Sequence, residues 1–115
     1  MKGGRIFKTF LDPQGGRLVS VTLGSEGKRE AVIDEATFLE LMDMGLSPAW
    51  SVNREGSVMT FSQKASGSRV TVARVIMDAK PGQQVRFRDG DSRNLRKSNL
   101  QLVPGWSTRE DRTLI

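Results

Sequence analysis

Five cations between positions 86 and 97 are the part of this chain that points most directly to a chemical role. They are Arg86, Arg88, Arg93, Arg96 and Lys97. The residues between them favour tight turns, and they include Asp89, Gly90, Asp91, Ser92 and Asn94. Guanidinium groups bind phosphate through two parallel hydrogen bonds, and they bind guanine similarly in the DNA major groove. A polar loop of this kind has no core to fill, so the segment predicts a surface that binds an anionic partner.

The composition excludes several classes of function. The chain has no Cys, which removes disulfide bridges and thiolate metal sites and indicates a reducing compartment. It has no His either, and so lacks the commonest general base and the commonest transition-metal ligand. No apolar run approaches the roughly 20 residues that cross a bilayer, and the N-terminus lacks the apolar segment of a signal peptide. We therefore expect a soluble cytoplasmic protein with no cofactor and no membrane contact.

The positive charge of the chain is unevenly distributed. The formal net charge is +5. Residues 1–50 contain six Lys or Arg and seven Asp or Glu, whereas residues 51–115 contain twelve and six. An excess of cations in the second half would attract a polyanion, whose counterions are released on binding. The alternative is a charged surface that only keeps the protein soluble.

The pattern of apolar residues predicts the elements that hold these cations. At 115 residues the chain is long enough for one domain with a modest core. Alternation of apolar and polar residues, together with turn-forming residues between the segments, predicts strands at positions 5–11, 17–23, 29–33, 48–53, 57–62 and 69–72. A helix is predicted to begin with Asp34 as its N-cap and to end at Gly45 in a left-handed cap. Trp50 and Trp106 are expected to pack in the interior.

The last third of the chain predicts a second group of elements. A short apolar helix begins near Val72 and is followed by a strand, the cation-rich loop and another strand. Ser107 is predicted to cap a short final helix, Thr108 to Thr113. Strands and helices that occur in separate runs indicate an α+β fold.

From Val19 to Val103 the sequence resembles a small HNH homing endonuclease of the phage and bacterial type. The matching segments occur in the order and spacing of that family, and they are VSVTL, AVIDEATF, AWSVNREGSV, VARVIM, AKPGQQV, GDSRNLRKSNL and QLV. The resemblance implies an α+β protein with a single domain, residues 1–115. In that domain a small antiparallel sheet packed on one helix, residues 17–71, precedes an HNH-like strand–loop–strand–helix (ββα) unit, residues 72–115.

The chain departs from the family at the positions that perform catalysis. Family members have a His where this chain has Ala73, and a metal-binding Asp and a general-base His where it has Arg86 and Phe87. A second metal ligand is expected on the final helix, where this chain has Thr108, Glu110 and Asp111. Asn99 matches the central asparagine that braces the metal loop in the family.

Because of these departures, the chain lacks the groups that phosphodiester hydrolysis requires. The reaction needs a base that deprotonates water and a cation that stabilises charge on the leaving oxygen. Phe87 accepts no proton, and Arg86 would repel a metal ion by roughly 4 kcal/mol per unit charge pair at about 4 Å. The remaining acids are Asp89, Asp91, Glu110 and Asp111, and the turn itself needs the first two. We therefore expect no catalytic residue, no metal site and no enzymatic activity.

The resulting hypothesis is a catalytically inactive HNH-nuclease-like protein that binds duplex DNA through its arginine-rich hairpin loop. The residues assigned to DNA binding are Arg74, Arg86, Arg88, Arg93, Arg96, Lys97 and Asn99. Alternation along the strand places Arg86 and Arg88 on one face and Phe87 on the other, where it fills the core. Arg74 has an alternative role as a solvated or ion-paired side chain on its apolar helix.

A second hypothesis is an interaction protein of phage or mobile-element origin, whose basic face binds an acidic protein surface and alters a host machine. RNA binding ranks lower, because the chain has no Tyr to stack on unpaired bases. The salt dependence of duplex binding would separate these alternatives.

Overall fold

The computed structural model of the protein describes residues 6–24, 28–64 and 67–115. The elements in these ranges are β1 (Phe7–Leu11), β2 (Arg17–Leu23), β3 (Arg29–Asp34), α1 (Glu35–Asp43), β4 (Ser51–Val52), β5 (Val58–Phe61), β6 (Arg69–Thr71), α2 (Val72–Met77), β7 (Gln83–Phe87), a 3₁₀ helix (Lys97–Asn99), β8 (Leu100–Pro104) and a second 3₁₀ helix (Asp111–Leu114). Small antiparallel sheets with two α-helices confirm the predicted α+β class. Arg5, the predicted start of the first strand, lies outside the described residues. None of the helices in these ranges is long and apolar enough to cross a lipid bilayer.

The first sheet consists of β1, β2 and β3, and each strand is antiparallel to its neighbour. Its inner face is apolar, since the register places buried side chains such as Val19 and Ile33 opposite each other. Helix α1 contributes Phe38 to the same core. The ring of Phe38 lies 4.8 Å from that of Phe7 and 5.9 Å from that of Trp50. The helix is therefore fixed to the sheet by aromatic contacts.

The junction between β3 and α1 differs from the expected capping arrangement. Asp34 is the N-cap residue of α1, as predicted, but its side chain makes no capping hydrogen bond, so the role expected of its carboxylate is wrong. Its Oδ2 instead accepts a 2.9 Å hydrogen bond from the backbone N–H of Lys97. This bond ties the start of α1 to the cation-rich segment. At the other end, Gly45 has a φ of 94°, which confirms the left-handed ending of the helix.

Strands β4, β5 and β6 form a second antiparallel sheet, and β6 leads directly into α2. Val70 on β6 and Val75 on α2 are fully buried, so sheet and helix share one apolar interior. Trp50, just before β4, is also buried, and its indole N–H donates to the carbonyl of Ser47 at 2.9 Å. The predicted packing role of Trp50 is confirmed.

Residues 93–95, within the cation-rich segment, pair with β3 and so extend the first sheet. The N–H of Val32 donates to the carbonyl of Arg93 at 2.9 Å, and the N–H of Leu95 donates to the carbonyl of Val32 at 2.7 Å. Leu95 is fully buried in a hydrophobic cluster that also contains residues of β2, both helices and β8. The predicted parts, residues 17–71 and 72–115, therefore share one core.

The C-terminal unit is a hairpin of β7 and β8 followed by a short turn of 3₁₀ helix. This turn, Asp111–Leu114, stands in place of the predicted helix from Thr108 to Thr113. The carboxylate of Asp111 is fully buried and accepts the backbone N–H of Thr71 at 2.7 Å, whereas the first turn of the predicted helix would have exposed it. The strand–loop–strand part of the ββα unit is present, and the unit as a whole is not confirmed.

Candidate nucleic-acid interface

Two arginines project from the outward face of the β7 strand and its extension. Arg86 and Arg88 are exposed, while Val85 and Phe87 are half-buried and pack against the hydrophobic core. The predicted alternation along this strand is confirmed. Arg86 lies opposite Gln101 in the hairpin, so its neighbour across the pair is neutral.

The guanidinium groups of Arg86 and Arg88 differ from those of other arginines in their ion pairing. In the part of the chain that the structure describes, no carboxylate oxygen lies within 4.0 Å of either group. Other arginines are paired, for example Arg17, whose Nε lies 2.7 Å from Oε1 of Glu35. An unpaired guanidinium group can bind a phosphate without first breaking an ion pair. Among the described residues of the hairpin, these two arginines are therefore the side chains best suited to contact an anion.

Asn99 braces the loop that follows β7. Its side-chain nitrogen donates to Oδ1 of Asp89 and to the carbonyl of Asn94, both at 2.9 Å, and its Oδ1 accepts the N–H of Asp89 at 3.0 Å. The carboxylate of Asp89 also accepts the N–H of Asp91 at 2.8 Å and the side chain of Asn94 at 2.9 Å. Asn99 is only 7 % exposed. We therefore assign it a positioning role in place of direct contact with DNA.

The hydrogen-bond donors around Asp89 lower the pKa of its carboxyl below the ordinary 3.8, chiefly through the side chain of Asn94, then the N–H of Asp91 and the side chain of Asn99. Because folding lowers this pKa, the bonds stabilise the loop at neutral pH, and this stabilisation is lost as the pH falls below about 4. We expect Asn94→Ala to raise the pKa of Asp89 in an NMR titration of the carboxyl group. The exposed neighbouring change Ser98→Ala should leave it low. An unchanged pKa in Asn94→Ala would contradict the assignment.

Arg74 is buried in the interior, with 7 % of its surface exposed. Its Nε lies 3.2 Å from Oδ1 of Asp111, and its Nη1 donates to the carbonyl of Gln83 at 2.7 Å. Its Nη2 donates to the carbonyls of Lys80 and Arg109 at 3.2 and 2.7 Å. The guanidinium group is thus used to join α2 to the turn before β7 and to the C-terminal segment. Arg74 therefore has the ion-paired role that was its alternative to DNA binding, and the prediction that it contacts DNA is wrong.

Arg96 is ion-paired with two acids, one in the turn between β1 and β2 and one at the end of β3. Its Nη2 lies 3.2 Å from Oδ2 of Asp12, and its Nε lies 3.8 Å from Oδ1 of Asp34. Lys97 and Arg93 are less constrained. No carboxylate lies within 4.0 Å of the Lys97 ammonium in the described ranges, and Arg93 has a 3.7 Å contact with a neighbouring acid. Of the five cations in this segment, Arg96 is the one whose charge is most fully compensated.

The acids near the hairpin do not fit a divalent cation. Arg86 stands where the resemblance implies the metal-binding aspartate. The carboxylates of Asp89 and Asp111 are occupied by N–H donors, and Glu110 lies 3.0 Å from Nζ of Lys80, whose pKa it raises. The described residues contain no group of three His, Cys, Asp or Glu that could hold a metal ion. The side chains of Asp89, Asp111 and Glu110 are instead used in hydrogen bonds and ion pairs within the protein.

Trp106 was expected in the interior, and this prediction is wrong because the residue is 97 % exposed. The N–H of Gly105 donates to the carbonyl of Gly82 at 3.0 Å, and the N–H of Gly82 donates to the carbonyl of Ser107 at 2.7 Å. These bonds continue the hairpin beyond β8 and fix the backbone on both sides of Trp106. The indole is therefore held in solvent by an anchored backbone.

Two further cations lie beside this segment, and they come from the first half of the chain, where the sequence has no excess of positive charge. Lys28 and Arg29 line an open groove together with Arg93. The pairing of β3 with residues 93–95 brings them together. No local sequence pattern signals such a pairing, since it joins segments about 60 residues apart.

Comparison of the chain with protein-family models, with curated proteins and with solved structures finds no match.

Proposed function

We propose that this chain is a catalytically inactive, HNH-nuclease-like protein of phage or bacterial type that binds duplex DNA in the cytoplasm. The observation that carries the proposal is the pair of exposed guanidinium groups of Arg86 and Arg88, which lack internal carboxylate partners in the described ranges. Arg86 is on β7, and Arg88 follows the end of the strand by one residue, where its N–H still bonds to the carbonyl of Asn99 at 2.8 Å. In extended backbone, residues two apart lie roughly 6.6 Å from each other on the same face. Such a pair presents two bidentate donors to one polyanion, and Lys97 adds a further exposed cation.

The position of Asn99 supports the scaffold in this proposal. The resemblance implies an asparagine that braces the loop between the two strands, and Asn99 makes such bonds to Asp89 and Asn94. A braced loop presents its cations at a small entropy cost, because the backbone is already ordered before binding. The loop is thus suited to binding even where the catalytic residues are replaced.

Direct binding tests the proposal. A fluorescently labelled duplex should show increased anisotropy when titrated with the protein at about 50 mM salt, and the affinity should fall steeply as salt is added. The absence of duplex binding at that salt concentration would overturn the proposal.

We expect no cleavage of plasmid DNA in the presence of Mg²⁺ or Mn²⁺. Hydrolysis requires a general base and a metal-bound water, and neither Arg86 nor Phe87 supplies a base or a ligand. Agarose-gel analysis of supercoiled plasmid checks this, with buffer lacking divalent ions as the control. Nicking that disappears in Asp89→Ala or Glu110→Ala would contradict the prediction.

Trp106 favours a second candidate function, in which the basic face binds an acidic protein surface. Exposed Trp is a frequent anchor of protein interfaces, and Trp106 is held in place by its backbone. If this candidate is correct, duplex binding will be absent and Trp106→Ala will abolish capture of an acidic partner. If DNA is the partner, Trp106→Ala will leave the salt dependence of duplex binding unchanged.

A further inference from the structure

A second cationic surface lies where β3 meets residues 93–95. An open groove of about 490 Å³ is found there, and Lys28, Arg29 and Arg93 are among its lining residues. We propose that this groove, the β3 groove, binds the phosphodiester backbone of the duplex that contacts Arg86 and Arg88. The inference rests on the proposed function and adds a second contact site in the first half of the chain.

Lys28 and Arg29 form a ridge that solvent reaches from two sides. Both residues line the β3 groove, and both also line a second opening of about 380 Å³ beside Ser51 and Asn53. Their side chains are exposed. A phosphate can therefore approach this Lys28–Arg29 ridge without rearrangement of the fold.

Two acids, Glu30 and Asp91, line the β3 groove beside its cations, and each accepts a hydrogen bond from another group of the protein. Glu30 accepts a hydrogen bond from the hydroxyl of Ser20, and Asp91 accepts the N–H of Arg93 at 3.0 Å. No carboxylate lies within 4.0 Å of either cation of the Lys28–Arg29 ridge in the described part of the chain. The positive charge of the ridge is therefore available to an external anion, as it is for the arginines on β7.

The lining of the β3 groove fits a polyanion better than a small organic ligand. Small-molecule sites are lined mostly by hydrophobic and aromatic side chains, whereas Val32 is the one apolar side chain among the described residues that line this groove. The groove is also connected to β7 by a short loop, since Arg93 follows Arg88 by five residues. Their Cα atoms are at most about 18 Å apart, a span of about five nucleotides along one strand of duplex DNA. A duplex segment of at most that length is needed to extend from one surface to the other.

The test compares two double variants with equal charge loss. Lys28→Ala with Arg29→Ala removes the ridge, and Lys8→Ala with Lys64→Ala removes two exposed lysines, one of them on β1 at the opposite edge of the first sheet. The slope of log K against log salt is negative, and we expect it to become shallower by about 1.8 in the ridge variant, since each phosphate contact contributes roughly −0.9. The control should change the slope much less. Circular dichroism melts of both variants check that the fold is retained.

The outcomes separate this inference from the proposed function. If duplex binding persists and depends on Arg86 and Arg88, while the ridge variant behaves like the control, the β3 groove is not a contact site and the inference is wrong. If the wild-type protein does not bind duplex DNA, the proposed function fails and the inference fails with it. Lys28→Gln with Arg29→Gln repeats the test with polar side chains of similar length, and a slope equal to that of the wild type would also overturn the inference.

Discussion

Replacing Asp111 by alanine is expected to lower the free energy of unfolding by about 3–5 kcal/mol, because the change leaves a buried cation without its partner. Asp111 is fully buried, and its carboxylate accepts hydrogen bonds from the N–H of Thr71 and from the guanidinium groups of Arg74 and Arg109. Without the Asp111 carboxylate, the C-terminal segment would lose its bonds to Thr71 on β6 and to Arg74 on α2. Chemical denaturation followed by circular dichroism measures the change.

A surface ion pair provides the control for this prediction. Arg17→Ala removes the exposed pair with Glu35, and exposed pairs contribute little to stability. The double variant Arg74→Ala with Asp111→Ala should cost less than the sum of the two single changes, since neither charge is then left alone. A loss in Asp111→Ala no larger than that in Arg17→Ala would show that the buried network is not structural.

Replacing Arg86 and Arg88 together by alanine is expected to weaken duplex binding about 100-fold at low salt, given a net loss of roughly 1.5 kcal/mol for the phosphate contact of each arginine. Both side chains are exposed and neither has an internal carboxylate partner in the described ranges, so the change should leave the fold intact. Fluorescence anisotropy with a labelled duplex measures the affinity. The free energy of unfolding should remain close to that of the wild type.

The double variant Lys8→Ala with Lys64→Ala is the control for the loss of net charge, because it removes two exposed cations elsewhere. The conservative change of Arg86 and Arg88 to lysine keeps the charge and removes the bidentate geometry, so an intermediate affinity is expected. Equal losses in the alanine pair and in the control would mean that only the net charge matters and that β7 has no specific role.

Local patterns predicted the elements that hold the site. The alternation of Arg86, Phe87 and Arg88 placed the arginines outward and the phenylalanine inward, as the structure has them. Gly45 marked the end of α1, because a residue with positive φ is needed there. These features depend on neighbours a few residues away, which is the range over which sequence periodicity carries information.

Long-range contacts account for what the sequence did not predict. Asp34 has a good capping position by type, yet its carboxylate is bound by the N–H of Lys97, 63 residues later. The partner of Arg74 is Asp111, 37 residues away, so burial converted a candidate phosphate ligand into a structural group. A polar residue in an amphipathic pattern is normally read as exposed, and only tertiary pairing reverses that reading.

Trp106 illustrates the opposite error. A large aromatic residue near the end of a strand was expected to be buried, but the hairpin continues through Gly82 and Gly105 and leaves the indole in solvent. The flanking Gly105 and Ser107 are local signals that the backbone becomes irregular after β8, where a core position is not expected.

The salt dependence of duplex binding tests the central claim most directly, since it counts the phosphates that the protein neutralises. With Arg86 and Arg88 as contacts, the slope of log K against log salt should be steeper than about −1.8 for the wild type and should become shallower by about 1.8 in the double alanine variant. A wild-type slope near zero, or the same slope in both proteins, would contradict the assignment of β7 as the DNA-binding surface.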